Sequence, residues 1–376
     1  MSLKILHLID SGGLYGAEKM LLALVAEQLK MGLRPMILSA GVPGIAEKAL
    51  EAEAHRLDLP ITPWRMRPGF NPYDSMTIIQ WARIEKYELF HSHGYKFNVL
   101  IGLLPKFIRK IPFMTTLHGY LKAPRFSKSW VYEMLDRLAL KRMSGVVLVA
   151  EAIEKDIPGS ILLSGRVFVI PNGVDVEKLV KASEGPVFGD FYSVTNSHSP
   201  LLLGVGRLSR EKGFDRLIYA MRTVKNVYPR VGLIIIGEGW CRAELEQLVS
   251  KIDLSKSVHL PGYCATVPAL MARSDLLCIP SRTEGLPIAL LEAMAVGVPV
   301  CASDVGEIGS VLGHGKGGKI SCLGSPDQLA QDILQSLDRK EEMAEAVEWS
   351  KQRISLTYSA SNMARQYAEV YEKVLG

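Results

Sequence analysis

The sequence has no run of roughly 18 to 20 apolar residues, the length a helix needs to cross a bilayer, so its 376 residues are expected to contain no membrane span. It is also poor in cysteine. The five present, Cys241, Cys264, Cys278, Cys301 and Cys322, are odd in number and form no CxxC pair. That excludes a zinc ribbon or a disulfide scaffold and fits reduced, buried thiols in the cytoplasm. No Cys or carboxylate stands near His91-Ser92-His93 to complete a ligand set, so no metal is expected. The glycine loop after the first strand, Gly12-Gly13-Leu14-Tyr15-Gly16, lacks the order GxGxxG, which argues against a dinucleotide site there. Low-complexity tracts and tandem repeats are missing too, and residues 5–9, a short apolar stretch after a single Lys, are expected to be a first buried strand rather than a signal peptide.

What is present is ordinary for a globular enzyme, with 48% hydrophobic and 22% charged residues. A chain of this length exceeds one small core, so two domains are expected. The net charge of +5 hides an asymmetry. Residues 1–180 carry 23 basic against 17 acidic side chains, leaving 21 against 22 for the remainder. Within residues 96–142 the count is ten to two. There Lys106, Arg109, Lys110, Lys122, Arg125, Lys128, Lys141 and Arg142 are interleaved with Leu103, Leu104, Phe107, Ile108, Phe126 and Trp130. Such a segment reads either as solvated helix faces or as a surface for anionic lipid headgroups.

Strand and helix patterns alternate along the chain. Strands are predicted at residues 4–9, 35–39, 89–93, 113–117, 145–149 and 167–170, with a helix over 17–30. Residues 181–199 lack periodicity and read as an interdomain connection. The pattern restarts with strands at 201–205, 231–236, 258–260 and 276–279 and helices at 214–228, 242–251 and 267–272. Alternation of this length builds doubly wound parallel sheets. The expected division is residues 1–180, a linker at 181–199, residues 200–358, and a final amphipathic helix within 359–376.

The richest stretch is residues 283–300, Thr-Glu-Gly-Leu-Pro-Ile-Ala-Leu-Leu-Glu-Ala-Met-Ala-Val-Gly-Val-Pro-Val. Pro287 suits a helix start and Gly297 its end. Glu284 precedes that helix and Glu292 lies inside it, among apolar neighbours that leave little room for a solvated face. Unpaired N–H groups at a helix start favour an anion, and flanking carboxylates accept hydrogen bonds from hydroxyls. The plain alternative makes Glu284 a helix-dipole charge. Arg207 and Lys212, after the strand at 201–205, offer a planar fork and a compact charge to one anion, or are simply loop surface. Gly12-Gly13-Leu14-Tyr15-Gly16-Ala17-Glu18 follows the first strand and lets a ligand approach the backbone.

With Gly12-Gly13…Gly16-Ala17-Glu18, His118-Gly119, Pro171-Asn172-Gly173-Val174-Asp175, Gly206-Arg207…Lys212-Gly213, Gly237-Glu238-Gly239, Pro280-Ser281…Glu284-Gly285 and Ala293-Met294-Ala295 in this order, the chain resembles the retaining, nucleotide-sugar-dependent glycosyltransferases of family 4, the group 1 glycosyltransferases. The resemblance implies a GT-B fold of two Rossmann-like domains facing a cleft, acceptor on the first and nucleotide sugar on the second, with the last helix crossing back. It gives Arg207 and Lys212 the donor diphosphate, Glu292 the ribose, and Glu284 the donor sugar. Gly285 and Leu286 belong with that donor loop, Gly13 and Gly16 with the diphosphate from the other domain, and Gly262-Tyr263 with the base. His118 falls near the reaction centre, and Gly12, Tyr15 and Glu18 with His118 on the acceptor side.

At two positions the chain departs from the family pattern, Glu307 standing for a glycine and Ser310 for an acidic residue. What the resemblance implies for activity is transfer from a UDP- or GDP-sugar to a carbohydrate or lipid-linked hydroxyl in bacterial lipopolysaccharide, exopolysaccharide or glycolipid synthesis. No cofactor, metal or nucleic acid is called for; the chain has no Asp-x-Asp pair of the sort metal-dependent transferases use. The expected location is cytoplasmic, with peripheral contact at the inner membrane face through residues 96–142. Two other readings keep the site: a nucleotide-sugar epimerase or hydrolase, and a non-catalytic nucleotide-sugar-binding protein.

Overall fold

The computed structural model describes residues 2–69, 71–119, 128–187, 190–322 and 324–376; Lys122, Arg125 and Phe126 of the basic segment lie outside them. Contacts divide the chain into two compact units, Met1–Gly173 with Ala360–Gly376, and Val174–Ser359.

In the first unit, seven parallel strands are β1 (Lys4–Ile9), β2 (Arg34–Gly41), β3 (Ile61–Arg65), β4 (Leu89–Ser92), β5 (Phe113–Leu117), β6 (Gly145–Leu148) and β7 (Val167–Val169). Their order is β3-β2-β1-β4-β5-β6-β7. Apolar runs such as Ile5, Leu6, Leu8 and Ile9 suit strands covered on both faces, and all four are buried. Leu6, Leu8, Phe90 and Phe113 join one core cluster; Ile9 joins a second with Leu21, Leu22 and Val25 of helix Gly16–Lys30. The strand order reverses between β1 and β4, and at such a switch point the loops diverge and leave a crevice beyond the strand ends.

The second unit repeats the plan with β8 (Leu201–Val205), β9 (Gly232–Ile236), β10 (Val258–Gly262), β11 (Leu276–Ile279), β12 (Val300–Ser303) and β13 (Lys319–Ser321), ordered β10-β9-β8-β11-β12-β13. Its switch point lies between β8 and β11. Helix Ile288–Val296 connects β11 to β12 and ends at Gly297, while Pro287 sits one position before its first turn.

Several elements differ from the sequence reading. Residues 181–199 are not a structureless connection: helix Val176–Ser183 runs into them and helix Asp190–Ser197 lies within them. The first is capped by Asp175, whose Oδ1 accepts from the Lys178 amide at 3.0 Å. β3 was missed because it is short and contains Pro63, a residue a sheet edge tolerates. Cys322 is exposed, whereas the other four cysteines are buried and all five are free.

The basic segment is less of a surface than its composition suggests. Arg109 is buried at 2% exposure, its guanidinium donating to the Arg142 carbonyl at 2.6 Å and lying 5.5 Å from the Phe113 ring. Burial, and then the charge of Arg142, bring it down to about 10. Arg142 in turn donates to the Leu103 carbonyl, and Lys96 is paired with Asp10 at 2.8 Å.

Candidate functional site

In the second unit, the loops leaving β8, β9 and β11 are in backbone contact, and two glycines make that possible. Gly213 has φ 67°, and a Cβ there would lie 2.2 Å from the Pro280 carbonyl oxygen. At Gly237, φ 141°, a Cβ would lie 1.9 Å from the Gly206 oxygen. Both values of φ disfavour any other residue. Side chains brace the same junction: Arg282 holds Asp215 through two 2.7 Å bonds, and Arg216 donates to the Pro280 carbonyl at 3.2 Å.

On this junction Lys212 runs its stem over Gly206, 3.4 Å from where a Cβ would stand, and donates from Nζ to Glu284 Oε1 at 2.6 Å. Ser281 Oγ donates to the same oxygen at 2.7 Å. Both ionic side chains are largely enclosed, at 23% and 9% exposure. Arg207 leaves the end of β8, partly buried. Glu292 is buried at 5% on helix Ile288–Val296, among Leu290, Leu291, Ala293 and Met294. Gly285 is held by its carbonyl, which accepts from the Glu307 amide at 3.0 Å, and Leu286 is buried. Ser310 gives its carbonyl to Arg353 at 3.1 Å. The Gly262 carbonyl accepts from the Gly237 amide at 2.9 Å, and Tyr263 is exposed.

This unit thus brings Arg207, Lys212, Glu284 and helix Ile288–Val296 to the strand ends at its switch point. Two cations, a helix N-terminus and two carboxylates can neutralise a polyanion while accepting bonds from hydroxyls.

In the first unit, Gly12 is exposed and Gly13, Tyr15 and Gly16 are partly buried in the loop after β1. Tyr15 folds its ring against Gly13, where a Cβ would be 2.6 Å from the ring. Glu18 is buried at 7% and accepts from the Tyr15 amide at 3.0 Å. It therefore serves helix Gly16–Lys30 as an N-terminal cap. Asp10, at the end of β1, receives Lys48 and Lys96 at 3.0 and 2.8 Å. Burial raises its carboxyl, but those two lysines outweigh it and hold it below its usual range.

His118 follows β5, and its ring stacks on that of His93 with centroids 5.7 Å apart. His93 follows β4, and His7 on β1 pairs in register with His91 on β4. Alternation puts these side chains on one face of the sheet. Burial lowers all four: His7 and His118 to about 4, His91 and His93 well below 6.5. They are neutral at pH 7.

Comparison with known proteins agrees with this architecture. The family described as Glycosyl transferases group 1 matches residues 191–353, and that described as Glycosyltransferase Family 4 matches residues 15–178. The chain belongs to the group 1 glycosyltransferases of family 4.

A 2-deoxystreptamine glucosyltransferase of Streptomyces kanamyceticus is 23% identical over 371 residues, 92% of this chain and 96% of the relative. An Escherichia coli UDP-Gal:alpha-D-GlcNAc-diphosphoundecaprenol alpha-1,3-galactosyltransferase is 27% identical over 61% of each chain. Among solved structures, Anabaena Alr3699/HepE in complex with UDP and glucose matches with TM-score 0.81 at 23% identity, covering 98% of this chain and 99% of that one. WaaG, a glycosyltransferase involved in lipopolysaccharide biosynthesis, matches at TM-score 0.72 and 16% identity over 97% and 99%. The two units are thus the Rossmann-like halves of a GT-B glycosyltransferase.

Three features of this glycosyltransferase escaped sequence reading. Ser281 is one hydroxyl among many until Glu284 folds back on it. The Arg282–Asp215 brace joins residues 67 positions apart. His7 carried no signal, yet β1 brings it to His91 and His93 with ligand-type nitrogens all within 4.8 Å of one another. The three histidines that the sequence left without a metal set are therefore gathered, and their hydrogen bonds decide what they do.

Proposed function

We propose that this glycosyltransferase moves a sugar from a nucleotide diphosphate sugar to a hydroxyl acceptor with retention of anomeric configuration. The observation that carries the reading is the Lys212–Glu284 contact at the β8/β11 switch point. It sets a cation for a diphosphate beside a carboxylate for sugar hydroxyls. As the sugar–diphosphate bond breaks, charge grows on the leaving oxygens; Arg207, Lys212 and the N–H groups at the start of helix Ile288–Val296 offset it. The acceptor hydroxyl attacks from the leaving-group side and passes its proton to a departing phosphate oxygen, so no strong protein base is required. Glu292 holds the ribose, Glu284 the transferred sugar, and no metal takes part.

A UDP-sugar is favoured as donor, because the similar structure of Alr3699/HepE holds UDP and glucose. The acceptor is a carbohydrate or lipid-linked sugar, in keeping with the diphosphoundecaprenol-linked substrate in the Escherichia coli relative's name. Peripheral contact with an anionic membrane is supported by helix Lys128–Leu140, where Val131, Met134 and Leu138 are about half exposed, with Phe107, Lys106 and Lys110 exposed nearby in sequence. Among the described residues no helix is long and apolar enough to cross a membrane.

The test is nucleoside diphosphate release from UDP-, GDP- and ADP-sugars with and without a pool of acceptors, followed by proton NMR of the product's anomeric centre. Acceptor-dependent release with the donor's anomeric configuration is expected. Donor conversion without acceptor would instead make it an epimerase or hydrolase, and binding without turnover a non-catalytic protein.

A further inference from the structure

Four of the five histidines of the first unit, His7, His91, His93 and His118, belong to one continuous chain of hydrogen bonds that ends on the C-terminal helix Ala360–Leu375. His118 Nε2 meets His93 Nδ1 at a long 3.5 Å, and His93 Nε2 meets His7 Nδ1 at 3.0 Å. His7 Nε2 meets Gln28 Oε1 at 2.9 Å. Gln28 Nε2 donates to the Tyr371 hydroxyl at 2.9 Å, and that hydroxyl meets His91 Nδ1 at 2.9 Å. His91 Nε2 meets Thr116 Oγ1 at 2.8 Å, and Thr116 meets the Tyr367 hydroxyl at 2.9 Å. Apart from partly buried His118, each of these residues is 6% exposed or less.

A neutral imidazole has one donor and one acceptor nitrogen, so in such a chain each bond dictates the next. The Gln28 amide supplies the direction. Its oxygen faces His7, so His7 carries its proton on Nε2 and accepts at Nδ1. His93 must then donate from Nε2 and accept at Nδ1, and His118 must donate from Nε2. On the other branch Tyr371 accepts from Gln28 and donates to His91 Nδ1, so His91 also carries its proton on Nε2. Turning the amide over would reverse every bond and place a proton on His118 Nδ1. That nitrogen is buried and has no hydrogen-bond partner among the described residues. Orphaned buried N–H donors are rarer than under-satisfied acceptors, which favours the same direction.

We propose that His93, His7, Gln28 and Tyr371 are positioning residues that fix His118 as its Nε2–H tautomer, leaving its buried Nδ1 lone pair to accept a hydrogen bond from a ligand hydroxyl. The ligand is the hydroxyl-rich substrate of the function proposed above, on which this part rests. The C-terminal helix is thereby wired to a residue at the end of β5 through side chains rather than by packing alone. The same bonds argue against a metal held by His7, His91 and His93. Every nitrogen of the three is already engaged, and a cation held by all three would have to displace a hydrogen bond at each of them.

The full-length chain labelled with 15N-histidine tests this by long-range proton–nitrogen correlation at neutral pH, without ligand. His7, His91, His93 and His118 are all expected to carry the proton on Nε2. In His93→Leu, His118 should lose its single tautomer. In His93→Asn, whose Oδ1 stands in for the accepting Nδ1, it should keep it. If His93→Leu does not fold, Tyr371→Phe provides the second break, and the tautomer of His91 should change.

A wild-type His118 protonated on Nδ1, or a tautomer indifferent to both His93→Leu and Tyr371→Phe, would overturn the proposal. So would stoichiometric Zn²⁺ binding that disappears in His7→Asn. None of these readouts depends on turnover. A protein inactive on every nucleotide sugar, but with the expected tautomers, would refute the proposed function and leave the relay standing.

Discussion

Lys212 Nζ and Glu284 Oε1 lie 2.6 Å apart although 72 positions separate them in the chain. Their pairing keeps both charges in place at the β8/β11 switch point before any ligand arrives. In the proposed reaction a diphosphate takes over the ammonium and leaves Glu284 free to turn to sugar hydroxyls; Ser281 Oγ donates to the same Glu284 oxygen. Lys212→Ala should therefore lower kcat/KM by about 10²- to 10³-fold, the range for removing one preorganised donor to developing charge. Steady-state kinetics with the preferred donor checks this, and a loss under threefold contradicts it.

The two glutamates should separate kinetically. In the proposed site Glu292 is the charged acceptor for ribose hydroxyls, so Glu292→Gln should weaken nucleoside diphosphate binding by about 10- to 100-fold, since hydrogen bonds to charged groups contribute about 1.5 to 3 kcal/mol. Glu284→Gln should leave the affinity for nucleoside diphosphate alone within a few-fold and act on kcat. Direct binding of the diphosphate beside turnover distinguishes the roles; equal effects of both variants on diphosphate affinity would merge them.

Gly237→Ala should destabilise the second unit by more than about 2 kcal/mol, because the new Cβ would stand inside van der Waals contact of the Gly206 carbonyl at an unfavourable φ. Gly12→Ala meets nothing within 4 Å and is the control. Urea unfolding of both variants compares them.

Stability should fall on mild acidification. His7 and His118 take up protons at about 4 in the folded protein and near 6.5 when unfolded, and His91 and His93 stay neutral to lower pH still. Between those values the unfolded chain binds more protons, so stability is complete above about 6.5 and declines as pH falls, each histidine adding a slope of up to about 1.4 kcal/mol per pH unit. Glu51, whose burial penalty is outweighed by Arg65 so that it sits at about 2, acts the same way only below its unfolded value near 4.5. Denaturant unfolding at pH 7, 6 and 5 checks the histidine window, and unchanged midpoints would contradict it.

Activity should survive EDTA. The proposed charge stabilisation uses Arg207, Lys212 and a helix start, and the sequence has no Asp-x-Asp pair. Turnover lost to EDTA and restored by Mg²⁺ or Mn²⁺ contradicts this.

Much of this molecule is legible in its sequence because its signals are local. Apolar runs announce β1, β8 and β11, and Pro287 and Gly297 bracket a helix. Gly213 and Gly237 stand out in the sequence only through the family resemblance, and the structure shows why glycine is needed there. What stayed hidden depends on tertiary pairing. Glu18 reads as a ligand group in a glycine loop, but its carboxylate closes on the Tyr15 amide. Arg109 reads as surface charge, but its guanidinium caps carbonyls beneath Phe113. His7 reads as one polar residue in an apolar strand, and only strand order reveals its neighbours. Helix Asp190–Ser197 has too little apolar periodicity to stand out.

The most direct measurement is calorimetric titration of UDP and UDP-sugars into the wild-type chain and into Lys212→Ala and Glu292→Ala. Binding by the wild type, with at least a tenfold loss in each variant at unchanged melting temperature, is the predicted result. Wild-type affinity retained in both variants would mean that the donor does not bind at the loops joining β8 and β11 to their helices.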